Sequence, residues 1–284
     1  MKILRTHHDL KTWRSGQGED VGFIPTMGNL HAGHLSLTEE SFKNHKASVV
    51  SIFVNPTQFG PKDDFNRYPR TLEADCQKIS ELHQRYPHKE IAVFAPAAIE
   101  EVYPEGFSTV IRVPKFDGFL EGALRPGHFD GVATVVYLLF QLVKPKTAYF
   151  GKKDYQQYRL VKQMARDLGL PIHVKGMPII RDAGGLALSS RNQYLSPVEK
   201  KDALYLFNTL SHMKKLLANS SDNAPLLKAY AEQEMKNDPR WQYLEVREAR
   251  RLSTELPKKG KAVILGLLKV AEVRLLDNME TELS

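Results

Sequence analysis

His31 and His34 are separated by two residues in the run Pro25-Thr26-Met27-Gly28-Asn29-Leu30-His31-Ala32-Gly33-His34. An imidazole can donate a hydrogen bond to an anionic oxygen, and two of them at i and i+3 share one face of a first helical turn. Gly33 between them leaves room for a flat ring. The run follows the apolar segment Val21–Ile24 and precedes a helical pattern from Leu35 onward. A strand, a Gly-containing turn and a helix start are together a phosphate-binding arrangement. Exposed backbone N–H groups and the positive end of the helix dipole point outward there. The chemistry expected is nucleotide binding, with the two histidines stabilising charge that builds up as an α-phosphate is attacked. No Asp/Glu–His cluster lies nearby, so metal ligation by this pair is not expected.

Further groups of the same character follow. Gly151-Lys152-Lys153-Asp154 closes the apolar run Thr147–Phe150, where a lysine can hold a phosphate as a point charge and Asp154 can cap a helix or hold Mg²⁺ through water. Leu188-Ser189-Ser190-Arg191 follows a Gly184-Gly185 pair and reads as a donor-dense, mobile flap able to surround a triphosphate. Asn55 and Gln58, after the run Ala47–Val54, and Gln157 are amides suited to the hydroxyl and carboxylate groups of a small polar substrate. Arg125 and His128 stand in a loop-to-helix segment and can line a site, cap a helix or pack in the core.

These groups need elements to position them. Six short apolar runs read as strands, Val21–Ile24, Ala47–Val54, Glu90–Phe94, Thr109–Val113, Thr147–Phe150 and Ile172–Lys175. Helical patterns lie between them over Leu35–Lys46, Thr71–Arg85, Gly131–Leu142 and Asp154–Leu168. Near-continuous apolar strands alternating with helices predict an α/β fold with a Rossmann-like, doubly wound parallel sheet, whose ligands bind beyond the strands' carboxyl ends. After Arg181 the pattern changes. Ser196-Pro197-Val198-Glu199 starts a helix that runs to Leu217, a second covers Ala224–Met235, and two β-like runs follow, Tyr243–Ala249 and Ala262–Leu276, the latter bending near Lys269. The division expected is a nucleotide-binding domain over 1–181 and a smaller α+β domain over 182–284, the latter moving as a lid about the Gly-Gly pair.

With 42% hydrophobic and 26% charged residues, the 284-residue chain has the composition of a globular protein. Its single cysteine, Cys76, excludes an intrachain disulfide and fits a reducing cytoplasm. The first residues carry no long apolar segment, so a signal peptide is not expected, and the longest apolar runs are too short to span a bilayer. The net charge of +7 suits an anionic partner. Because the basic residues are scattered, a small anionic substrate is expected rather than a nucleic acid.

In their order along the chain, these stretches resemble the pantothenate synthetases, the pantoate–β-alanine ligase family within the H-x-G-H nucleotidyltransferases. The resemblance covers Pro25–Gly28 with the two histidines, Ile52–Pro56 with Gln58-Phe59, and Tyr68-Pro69-Arg70. It continues through Arg125-Pro126 with His128-Phe129, Tyr149–Gly151 with Lys153–Gln157, and Gly185–Ala187 with Ser189–Asn192. It implies that ATP and Mg²⁺ activate pantoate as an adenylate, which β-alanine then captures, releasing AMP. By the same analogy Met27, Gly28, Asn29, Leu30, His31, Ala32, Gly33, His34, Gly151, Lys152, Lys153, Asp154, Ile180, Leu188, Ser189, Ser190 and Arg191 hold ATP. Gln58 and Gln157 hold pantoate, Gln58 also lies near β-alanine, and Asn55, Pro25 and Met27 complete the substrate pocket. His34, His31, Lys153 and Arg191 carry the catalysis, with His34 in the family's active-site acid position. The resemblance also implies a homodimer. Three positions depart from the pattern. Lys152 replaces a usual Gln or Glu, Gly184 an Asp, which is expected to loosen the loop, and Leu188 a Met. Another H-x-G-H transferase with a different acceptor is the competing expectation.

Overall fold

Val21, Phe23 and Ile24 are fully buried, as are Val49 and Val50 on the neighbouring strand, which is the burial a parallel strand covered on both faces requires. The computed structural model describes residues 1–61, 63–219 and 224–283. They pack as two compact units, Met1–Lys152 with Gln156–Pro178, and Lys153–Tyr155 with Ile179–Ser284. The packing boundary therefore falls at 178/179 where the composition pointed to 181/182, and the short segment 153–155 belongs with the second unit.

The first unit runs β1 (Lys2–Leu4), α1 (His7–Ser15), β2 (Val21–Thr26), α2 (Ala32–Asn44), β3 (Ala47–Ile52), α3 (Leu72–His83), β4 (Glu90–Phe94), α4 (Leu120–Leu124), α5 (His128–Val143), β5 (Thr147–Gly151), α6 (Tyr155–Asp167) and β6 (His173–Met177). Its sheet has the order β1-β4-β3-β2-β5-β6, with every neighbouring pair parallel. From β2 the chain moves outward through β3 to β4, then returns to place β5 on the other side of β2. The strand order reverses there, which is where an open α/β sheet forms its ligand crevice.

Pro25 helps to open that crevice. Val21 O accepts from Lys146 N on the β5 side, whereas Thr26 O accepts from Phe53 N on the β3 side. Alternation then turns Pro25 toward β5, and proline has no N–H to give. Accordingly β2 stays paired with β3 as far as Thr26↔Ile52 but with β5 only at Gly22 and Phe23.

The second unit has α7 (Pro197–Asn219) and α8 (Ala224–Asn237), then an antiparallel sheet of β7 (Trp241–Glu248), β8 (Gly260–Val270) and β9 (Val273–Leu283). Leu206, Leu210 and Met213 of α7 pack with Trp241, Ile264 and Leu268 in a separate apolar core. The Ser196 and Glu199 side chains exchange backbone bonds as a capping box at the start of α7. The hairpin turns at Ala271-Glu272, two residues beyond Lys269, because Val270 pairs with Val273.

Two local readings differ from the sequence pattern. Thr109–Val113 is no strand. Val110 is 64% exposed, and Ile111 N donates to the Thr134 hydroxyl rather than to a ladder. β-Branched residues favour extended backbone, but a strand also needs an edge to pair with. Conversely, β1 and α1 were missed, although α1 starts at a Thr6–Asp9 capping box whose reciprocal bonds measure 3.0 and 3.2 Å. Among the described residues no helix is long and apolar enough to cross a membrane.

Candidate active site

At the end of β2 the chain turns through Gly28 and Asn29, at φ +87° and +50°, into α2. The helix begins at Ala32, earlier than its apolar pattern suggested, with His31 as its N-cap. The His31 Nδ1 accepts from Gly33 N at 3.1 Å, and the His34 Nδ1 accepts from His31 N at 3.4 Å. A backbone N–H can only donate, so both Nδ1 atoms act as acceptors and each neutral ring carries its proton on Nε2. The rings lie 4.1 Å apart and tilted by 37°. The pair therefore offers two pre-oriented Nε2–H donors. A Cβ on Gly33 would sit 2.8 Å from the His31 ring, so the flat ring it makes room for is that of His31 itself.

The expected cradle of outward-facing amides is absent from the first half of this turn. Gly28 N donates to the Thr26 hydroxyl, and Asn29 N and Leu30 N donate to the Asp75 carboxylate. The backbone N–H groups of Gly28, Asn29 and Leu30 are thus already used within the fold.

The turn after the adjacent β3 carries the amides. Asn55 is only 1% exposed. Its Oδ1 accepts from the Tyr103 hydroxyl at 2.8 Å and from Thr57 Oγ1 at 3.0 Å, while its Nδ2 donates to Gln58 Oε1 and Gly131 O, both at 3.2 Å. Gln58 Nε2 donates to Met27 Sδ at 2.9 Å, joining this turn to the H-x-G-H turn. The Gln58 backbone carbonyl accepts from His128 Nδ1 at 2.8 Å and from Arg125 at 3.3 Å. Arg125 also donates to His128 Nε2 and to Asp63, the latter at 2.7 Å. His128 is thus neutral with its proton on Nδ1, the opposite tautomer to His31 and His34. Burial pushes the Asp63 carboxyl up, but the Arg125 bond, the Gly60 N–H and the nearby cationic charge outweigh it and hold it below its usual value. Pro25 and Gln157 are half-buried, Gln157 in the first turn of α6. Gly151 and Lys152 leave the carboxyl end of β5, beside β2.

The remaining candidates lie in the second unit. Lys153, Ser189, Asn192 and Asp277 line one hollow with Phe207 and Arg274. Lys153 Nζ is 3.4 Å from Asp154 Oδ1, and the Lys153 carbonyl accepts from Asn278 Nδ2 at 2.9 Å. Leu188 N donates to Ile180 O, and Ser189 Oγ accepts from Arg191 N, so the aliphatic pair and the donor loop are linked. Ser190 and Arg191 are half-buried on the 3-10 turn Ser190–Tyr194.

The loop before them is pinned, not slack. Asp182 Oδ1 accepts from Gly184 N and Leu186 N. Arg181 forks onto Asp277, 2.5 and 2.8 Å away, and donates to Gly185 O. A Cβ on Gly185, at φ +104°, would sit 2.6 Å from Phe207. The looseness expected from Gly184 is replaced by an Asx-type turn, which a neighbouring aspartate makes whatever residue stands at 184.

The family model for pantoate–β-alanine ligase matches residues 2–280. This chain belongs to the pantoate–β-alanine ligase family. A pantothenate synthetase of Thermosipho africanus is 43% identical over 260 residues, which is 91% of each chain. The crystal structure of the enzyme from Thermus thermophilus superposes with a TM-score of 0.85 at 41% identity, covering 98% of this chain and 99% of that one. A pantoate–β-alanine ligase from Francisella tularensis, solved in complex with beta-gamma ATP and beta-alanine, superposes at 0.77 with 30% identity, covering 98% and 97%. Within this ligase-family fold, Asp75, Tyr103 and Asn278 were missed by sequence reading. Each acts across the fold on a distant partner, and no local spacing signals that.

Proposed function

We propose that this chain condenses pantoate with β-alanine at the expense of ATP, through a pantoyl adenylate, yielding pantothenate, AMP and pyrophosphate. The observation that carries the reading is the H-x-G-H turn of a pantoate-ligase family member, with both imidazoles held as Nε2–H donors beside the sheet's switch point. In the first step a pantoate carboxylate oxygen bonds to the α-phosphorus and the α–β bridging oxygen leaves with pyrophosphate. A carboxylate is ionised at neutral pH, so this step needs no base, only alignment and stabilisation of charge. Neutral His31 and His34 donate to phosphate oxygens as charge builds. That makes His34 a charge stabiliser before it is an acid. In the second step the neutral β-alanine amine bonds to the acyl carbon. The bond from that carbon to the phosphate oxygen breaks so that AMP leaves, and the proton lost by the nitrogen passes to the departing phosphate or to water.

Lys153, Ser189, Ser190 and Arg191 complete the phosphate ligands, and Gly151, Lys152, Ile180 and Leu188 flank the nucleotide. Gln58 and Gln157 hold pantoate. A thioether is a weak acceptor, so a pantoate oxygen replaces the Met27 contact of Gln58 with a stronger bond. Asn55, whose amide is used within the fold, acts through Gln58. Mg²⁺ enters with ATP as part of the substrate. A half-exposed carboxylate such as Asp154 suits an ion that keeps most of its water and phosphate ligands. Homodimer formation and residence in the cytoplasm belong to the same reading, the former checked by light scattering.

A coupled AMP-release assay tests it. AMP should form only with ATP, pantoate and β-alanine together, and pantoate alone should support exchange of pyrophosphate into ATP. Exchange that ignores pantoate, or a product that retains the nucleotide, rules the reading out in favour of another transferase.

A further inference from the structure

Asp75, on α3, is fully buried, yet it lies beside a turn read as the binding site of a polyanion. Its Oδ2 accepts from Asn29 N at 2.8 Å and from the Thr71 hydroxyl at 3.1 Å, and its Oδ1 accepts from Leu30 N at 2.7 Å. One turn further along α3, Lys78 Nζ donates to Leu30 O at 2.7 Å and lies 3.9 Å from Asp75 Oδ1. The helix thus holds both sides of the Asn29–Leu30 segment, two N–H groups through the acid and one carbonyl through the base. A buried carboxylate is costly, and its charge opposes an incoming phosphate. What it gives in return is geometry. Asn29 sits at φ +50°, a conformation unfavourable for a residue with a side chain, and two charge-assisted bonds hold the chain in and beside it. A Cβ on Gly28 would sit 3.2 Å from Asp75 Oδ2, so the acid packs directly under the turn.

We propose that Asp75 and Lys78 are positioning residues for nucleotide binding, clamping the backbone ahead of the H-x-G-H histidines so that the two imidazoles meet the phosphates in a fixed orientation. The proposal rests on reading that turn as the phosphate-binding turn. Neither side chain touches substrate. They act through the path of the backbone from Asn29 to His31, and on that path the direction of both Nε2–H bonds depends.

Steady-state kinetics and pantoate-dependent pyrophosphate exchange, run on Asp75→Asn, Lys78→Met, His34→Ala and Ile79→Val, test it. In Asp75→Asn the amide sets a donor against one of two backbone N–H groups. The expected result is a raised KM for ATP and a fall of about 10- to 100-fold in kcat/KM for ATP, the scale of a small misplacement, with the KM for pantoate unchanged. Lys78→Met should move the same parameter in the same direction by about tenfold or less. Ile79→Val thins the buried face of the same helix, so it should lower Tm and leave the KM for ATP alone. A merely structural loss reduces the amount of active enzyme without raising that KM. Wild-type ATP dependence in both Asp75→Asn and Lys78→Met overturns the clamp even where His34→Ala is impaired. Wild-type ATP dependence in His34→Ala overturns the reading of the turn, and the clamp with it. If Asp75→Asn does not fold, Lys78→Met decides alone.

Discussion

Three histidines of this protein are set to different tasks by what their second nitrogen touches. His31 and His34 accept backbone N–H groups at Nδ1 and so present Nε2–H, whereas His128 donates from Nδ1 to the Gln58 carbonyl and accepts Arg125 at Nε2. Losing one pre-oriented donor to a transition-state charge costs about 2–4 kcal/mol, so His34→Ala should lower kcat by that measure in single-turnover adenylation. An effect well below it would assign the charge stabilisation elsewhere. Asp63 makes a separate, pH-readable prediction. Its carboxyl titrates lower folded than unfolded. Its stabilising contribution is therefore present above the unfolded value, about 4, and is lost as pH falls through the lowered folded value. Urea unfolding followed from neutral pH down into that window should show this loss, and Arg125→Met should flatten it.

The helices contribute more than cover for the sheet, because their first turns press on the site. The first turn of α5 meets the amide turn so closely that a Cβ on Gly131 would lie 2.3 Å from Thr57 O and 2.6 Å from Gln58 N. Gly131→Ala should therefore cost about 1–3 kcal/mol in stability and raise the KM for pantoate, since rigid backbone is what must give way. Gly185→Ala is the counterpart in the second unit. Both its positive φ and the Phe207 ring oppose a side chain, so Tm should fall markedly. Strands β2 to β5 were readable because burial on both faces leaves continuous apolar runs, whereas the edge strand β1, exposed at Lys2 and Ile3, was missed. The Thr109–Val113 segment shows the limit of that signal, since residue type specifies extended backbone and not the neighbour that completes a ladder.

For the chain as a whole, the packing boundary decides which candidate residues share a unit. Lys153 counts with the second unit, tied there by Asn278 and by Tyr155, whose hydroxyl lies 3.0 Å from Ala249 O and 2.9 Å from Glu280. Arg181 and Asp277 anchor the donor loop in the same unit, and breaking such a buried pair from one side costs about 3–5 kcal/mol. Arg181→Met should accordingly lower Tm, and it should weaken ATP more than pantoate. A ligand that binds only the folded state at about 100 times its Kd adds about 2.7 kcal/mol, so saturating ATP should raise Tm and Lys153→Met should shrink that rise. An unchanged rise would remove Lys153 from the nucleotide site.

Local chemistry is written in local sequence. The H-x-G-H turn, the Gly151–Asp154 turn, the capped start of α7 and the buried strands were all legible because caps, turns and apolar runs depend on residues a few positions apart. Which backbone donors stay open was not legible. Asn29 and Leu30 spend theirs on Asp75, more than forty positions away, and Asn55 spends its amide on Tyr103, Gln58 and Gly131. The looseness expected of Gly184 is countered locally by the Asp182 turn, and the remote part of that restraint, the Arg181–Asp277 pair, forms only when β9 returns. Hydrogen-bond capacity is finite, so a residue's availability for a substrate is settled by every partner the fold brings to it, and most of those partners are remote along the chain.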